Sequence, residues 1–102
     1  MSVKKQYLKS KPICKVTFNL SKEETGGAQT AYLVGEFNHW DAKATPLNRF
    51  KNGNFTVMLE LAPGKEYQFR YLLDGETWIN DPQADKYVPA PGLNAENSVV
   101  VV

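Results

Sequence analysis

An all-β fold, an antiparallel β-sandwich of immunoglobulin type with about seven strands, is predicted by three observations. Short runs of the 102-residue chain alternate apolar and polar residues with period two. Tight-turn dipeptides punctuate those runs: Asn52-Gly53, Pro63-Gly64 and Asp74-Gly75. Finally, no amphipathic helix of useful length can be drawn anywhere in the sequence.

The first strand begins after Pro12, where Cys14, Val16, Phe18 and Leu20 share one face while Lys15, Thr17 and Asn19 share the other. Residues 21–29, with Gly26-Gly27, read as a polar turn, and 30–34 as a second strand. Gly35 breaks that strand, Phe37 is expected to plug the adjacent core, and Trp40 rides on a polar loop with Asn38, His39 and Asp41. Residues 47–51 and 55–61 are expected to pair through a two-residue type I′ turn at Asn52-Gly53. The next strand, 66–73, sends Tyr67, Phe69, Tyr71 and Leu73 one way and Gln68, Arg70 and Leu72 the other. The Asp74-Gly75 turn then returns a short strand, 77–79, that carries Trp78. Residues 80–97 are rich in Pro, Asp and Asn, and Pro82, Pro89 and Pro91 argue against regular pairing there. The terminal valine run reads as a strand at a sheet centre.

Composition limits the function classes. With 42% hydrophobic and 23% charged residues, the chain can bury one core. No run is long enough to span a bilayer, and the start lacks the apolar segment of a secretory signal. The single Cys14 cannot close an internal disulfide, which makes the cytoplasm the default location. Residues 1–11 hold four lysines and no acid, leaving eight basic against eleven acidic residues in the rest, a balance of −3. An acidic body is a poor partner for nucleic acid. The expected division is a flexible lysine-bearing leader over 1–11 and a single β-sandwich domain over 12–102.

Catalysis has little to work with. There is one histidine, His39, with no nucleophile beside it, no phosphate loop and no metal-spaced cluster. The turn aspartates Asp41, Asp74, Asp81 and Asp85 read as backbone-bonding residues. The expectation is a non-enzymatic protein without cofactor or metal.

Binding has more to work with. Trp40 and Trp78 sit among polar residues, and the Asp74-Gly75 turn brings Arg70 near Trp78. Indole faces suit the apolar C–H faces of pyranose rings, and Arg or Asn can bond the hydroxyls. The residues alone leave a second reading open, in which both indoles cap the sandwich core.

The ordered runs Val34-Gly35-Glu36-Phe37-Asn38-His39-Trp40, Pro46-Leu47, Tyr67 through Gly75 and Trp78-Ile79-Asn80-Asp81-Pro82 resemble the glycogen-binding module family. That family includes the early-set N-terminal domains of isoamylases and branching enzymes and the glycogen-binding domain of the AMP-activated protein kinase beta subunit. The resemblance covers about residues 13–102 and implies an early-set, immunoglobulin-like sandwich. It also implies a carbohydrate site: Trp40 and Trp78 as glucose platforms, Arg70 and Asn97 as hydrogen-bond partners, and Leu93 as an apolar wedge. Arg70 stands where lysine is more familiar, and Ala95 where the kinase module has a sugar-bonding threonine. The catalytic barrel that adjoins this domain in branching and debranching enzymes has no counterpart here, so the chain reads as a free-standing module or as one that acts beside another protein.

The leading expectation is therefore non-catalytic binding of an α-1,4-linked glucan such as glycogen, starch or a maltodextrin. The alternative is a protein-interaction module that docks on a glycogen-metabolising enzyme or kinase and binds little sugar.

Overall fold

The computed structural model describes residues 3–92 and 95–102. Two antiparallel sheets face each other. The first has strand order β1-β2-β5-β4, from Val3–Tyr7, Cys14–Leu20, Phe55–Leu61 and Asn48–Arg49. The second has order β3-β6-β9-β8, from Ala31–Gly35, Glu66–Leu73, Glu96–Val101 and Lys86–Pro89. A short β7, Thr77–Ile79, pairs with β6 beyond the part of it that meets β9. The all-β sandwich expected from the alternation is what the chain forms.

The alternation explains the core. On β2, Cys14, Val16, Phe18 and Leu20 are buried, and Phe69, Tyr71 and Leu73 of β6 meet them across the sheets. Phe18 and Phe69 pack edge-on at 5.3 Å, and Phe69 and Tyr71 at 5.6 Å. Phe37 closes this cluster, its ring 5.8 Å from Phe18 and 6.0 Å from Tyr67.

Four local expectations give way to tertiary structure. The lysine-bearing leader is not loose: Val3–Tyr7 pairs in register with β2 from Val3–Phe18 to Tyr7–Cys14. Val3 is buried, the Tyr7 hydroxyl donates to the Val102 carbonyl at 2.7 Å, and Lys5 meets Asp85 at 2.7 Å. Within the polar turn at 21–29 lies a one-turn helix, α1 (Lys22–Thr25), held by a capping box. Ser21 Oγ accepts the Glu24 N–H, and Glu24 Oε1 accepts the Ser21 N–H.

The Asn52-Gly53 hairpin is not a two-residue type I′ turn. Arg49 pairs with Phe55, Gly53 N–H donates to Phe50 O at 2.9 Å, and Phe50 N–H to Asn54 O at 2.8 Å. Gly53 takes φ +91° while Asn52 stays at negative φ, so the loop holds three residues, Lys51 to Gly53. The stretch 80–97 does pair: Lys86–Pro89 forms β8 against β9, with Pro89 at the end of an edge strand where its missing N–H costs no ladder bond. Counting β1 and β8, the described residues form nine strands, against the seven or so predicted.

Candidate functional site

The outer face of the second sheet carries the site. Along β6, Gln68 and Arg70 point away from the core, opposite in phase to Phe69 and Tyr71. Gln68, Arg70 and Trp78 of β7 each stand in register beside a buried apolar residue: Val99, Val34 and Leu72 respectively. Val34, Leu72 and Val99 are 1%, 7% and 1% exposed although they lie outside the inter-sheet core cluster. The polar and aromatic side chains thus stand on an apolar bed.

Trp40 reaches this face by a constrained route. After Gly35 the chain makes a single 3₁₀ turn, Glu36–Asn38, and then His39 and Trp40 both take left-handed backbone, φ 58° and 59°. Such φ values are uncommon for residues with side chains and cost on the order of 1–3 kcal/mol each. Local bonds hold the turn there. Trp40 N–H donates to Gly35 O at 2.8 Å, a Schellman-like reversal. Asn38 pins the loop from within: its Oδ1 accepts the Gly35 N–H, and its Nδ2 donates to Leu33 O and Thr45 Oγ1 at 2.8 and 3.0 Å. Gly35 itself is required by space, since its φ of −171° is ordinary extended backbone. A Cβ there would lie 2.5 Å from Gln68 O and 2.7 Å from Phe69 Cβ.

Trp78 is placed differently, by strand pairing opposite Leu72 and by a hydrogen-bonded cluster that fixes the residues just after β7. Asn80 Oδ1 accepts from the Ser98 N–H and hydroxyl, and its Nδ2 donates to Glu96 O. Asp81, fully buried, accepts the Tyr71 hydroxyl at 3.0 Å and donates its N–H to Ser98 Oγ at 2.8 Å. Burial, with the Asp81 carboxylate beside it, pushes the Tyr71 hydroxyl well above the usual tyrosine range and keeps it a donor. Asn80 and Asp81 therefore anchor the Trp78 strand to β9.

Trp40, Trp78, Arg70 and Asn97 line one groove of about 560 Å³. Glu36, Gln68, Ala90 and Pro91 complete it. Trp40 and Trp78 are 41% and 47% exposed, so each indole is seated yet keeps open surface. Neither indole belongs to the sandwich core cluster or to the partly buried residues packed on it. Arg70 Nε donates to Asn97 Oδ1 at 2.7 Å, and one terminal nitrogen donates to Glu96 O at 2.8 Å. Among the described residues its other terminal nitrogen has no partner, and no carboxylate pairs with it.

Leu93, the expected wedge, lies outside the described residues. His39 is exposed on the loop and does not line the groove. Sequence reasoning does not single out Glu36 or Gln68 as site residues. For Gln68 a signal is present, since strict alternation along β6 puts it on the Arg70 face. For Glu36 there is none, because the 3₁₀ turn abolishes the strand period at that point. Its Oε1 accepts the Gln68 N–H at 2.6 Å, extending the edge of β6 where β3 has ended.

Residues 18–101 match the family described as the glycogen recognition site of AMP-activated protein kinase. The chain belongs to that family. Its members are carbohydrate-binding, non-catalytic domains. Over 47 residues, 45% of this chain, it is also 40% identical to the 1,4-alpha-glucan-branching enzyme of Saccharomyces cerevisiae. The matched part spans 7% of that enzyme's length. Among the described residues no three His, Cys, Asp or Glu side chains gather to hold a metal, and no helix is long and apolar enough to cross a membrane.

Proposed function

We propose that this protein binds α-1,4-linked glucan without catalysis, laying successive glucose rings on Trp40 and Trp78. The observation that carries this reading is the meeting of two exposed indoles, from separate elements, in one groove with the Arg70 guanidinium. Membership in a glycogen-recognition family supports it. A glucose ring offers an apolar C–H face to each indole, and burying it contributes about 1–2 kcal/mol. Arg70, with one terminal nitrogen unengaged, donates to ring hydroxyls. After the cost of ordering a flexible chain, the dissociation constant falls at roughly micromolar to millimolar. The strained backbone at His39 and Trp40 fits a platform held ready before ligand arrives.

The chain holds only two tryptophans, so intrinsic fluorescence reports on both platforms. Titration with maltoheptaose should give a saturable change, and cellohexaose, whose β-linked chain is straight, should give none. The proposal fails if neither Trp40→Ala nor Trp78→Ala weakens maltoheptaose binding in a folded protein.

A further inference from the structure

Resting on the glucan-binding reading, we infer that Gln68 is a direct hydrogen-bond donor to the sugar and that Asn97, which the family resemblance implies as a sugar partner itself, is instead a positioning residue which aims Gln68. Asn97 lines the groove but is only 6% exposed, and its amide is engaged at both ends. Its Oδ1 accepts Arg70 Nε at 2.7 Å, and its Nδ2 donates to Gln68 Oε1 at 3.0 Å. An amide whose oxygen accepts from Arg70 must present its NH₂ on the other side, and that NH₂ requires an acceptor from Gln68. Gln68 is therefore held with its oxygen toward Asn97, and its Nε2 has no hydrogen-bond partner among the described residues. That unengaged NH₂ belongs to a side chain that lines the groove together with both indoles and Arg70.

The chain Arg70–Asn97–Gln68 thus sets the polarity of the groove. At each end it leaves donors unengaged: a terminal nitrogen of Arg70 and Nε2 of Gln68. Sugar hydroxyls accept as well as donate, and fixed donors at two points lower the ordering cost of binding. Register explains why the three meet. Asn97 lies one step beyond the Phe69–Ser98 pair, next to Arg70, and Gln68 is its diagonal neighbour on the same face.

A double-mutant cycle in the full chain tests the assignment, with maltoheptaose dissociation constants read by tryptophan fluorescence and thermal unfolding as the check on folding. Gln68→Ala and Gln68→Glu should each weaken binding roughly 2- to 10-fold, the effect of one net hydrogen bond. Gln68→Glu keeps an acceptor for Asn97, so its loss isolates the missing donor. Asn97→Ala should weaken binding too, and the double variant Gln68→Ala/Asn97→Ala should lose less than the product of the two single losses. In the wild type, the Gln68 side-chain amide signals in ¹H–¹⁵N spectra should shift on titration with maltoheptaose. Multiplicative losses at the two positions would overturn the positioning role, since they mark Asn97 as an independent contact. Wild-type affinity in both Gln68 variants would overturn the donor assignment and the positioning role built on it, while leaving the glucan reading in place. A wild-type protein that ignores maltoheptaose would overturn the glucan reading and this inference with it.

Discussion

The two sheets of this sandwich show the same alternation but present opposite outer faces. On the first sheet the outward residues are Lys15, Thr17 and Asn19 of β2 with Thr56, Met58 and Glu60 of β5, paired in register and half-buried or exposed, none of them buried. Met58 stands 48% exposed among them. On the second sheet the outward positions include Val34, Leu72 and Val99, which are buried, and the groove stands above them. A strand pattern reports which residues leave the core. It does not report whether the face they leave for will be bare or built upon. The difference comes from connections: after β3 the chain turns back through a 3₁₀ turn that delivers Trp40, and beyond β7 the chain brings Ala90 and Pro91 to the groove's border.

The sharpest test of this contrast strips both platforms. Trp40→Ala/Trp78→Ala should lose about 2–4 kcal/mol of maltoheptaose affinity, which calorimetry would record as loss of detectable binding. Met58→Ala, an apolar deletion on the other outer face, should leave affinity unchanged; a comparable loss there would erase the distinction between the faces.

Next in size is Gly35→Ala. The added Cβ collides with the backbone oxygen of Gln68, and neither strand can yield cheaply. Chemical denaturation should show a loss of about 1–3 kcal/mol. Sugar affinity should fall alongside it, because Gln68 and the Trp40 loop are both displaced.

Asn38→Ala should cost about 1 kcal/mol of stability by orphaning the Gly35 N–H and Leu33 O, and should weaken binding more than its exposed neighbour His39→Ala does. Equal affinities for the two variants would mean the loop keeps its shape without the pin.

The smallest effect concerns acid. Burial pushes the Asp85 carboxyl up, but the Lys5 hydrogen bond, the Val101 N–H and the Lys5 charge outweigh it and hold the group below the usual carboxylate range. A carboxylate with a lowered folded-state pKa stabilises the fold above its unfolded value, near pH 4, and that contribution vanishes as pH falls through the lower one. Because the pair is largely exposed, it is worth no more than about 0.5 kcal/mol. Lys5→Met should slightly flatten the melting temperature between pH 5 and pH 2, and an unchanged slope would show that β1 is held by its ladder alone.

Much of the fold is legible because the alternating strands state their own burial. Cys14–Leu20, Phe55–Leu61 and Glu66–Leu73 stand where the apolar period puts them. The segments that escape such reading are those whose structure depends on a distant partner. Val3–Tyr7 is charged and would fray alone, but β2 supplies its hydrogen bonds. Lys86–Pro89 contains a proline, yet an edge strand tolerates one at its end.

The same division runs through the site. Local pattern is enough to say which side chains could serve: two indoles among polar residues, Arg70 in opposite phase to the core, and an Asp74-Gly75 turn that folds Trp78 back beside β6. These are matters of period and turn chemistry, readable without any long-range contact. Packing between distant segments is what makes Trp40 and Trp78 border one groove, engages Asn97 with Arg70 and Gln68, and brings Glu36 and Gln68 into the lining. Those facts depend on β3 and β9 both lying against β6, pairings of residues about 30 or more apart, and no local pattern encodes the register of strands that far separated.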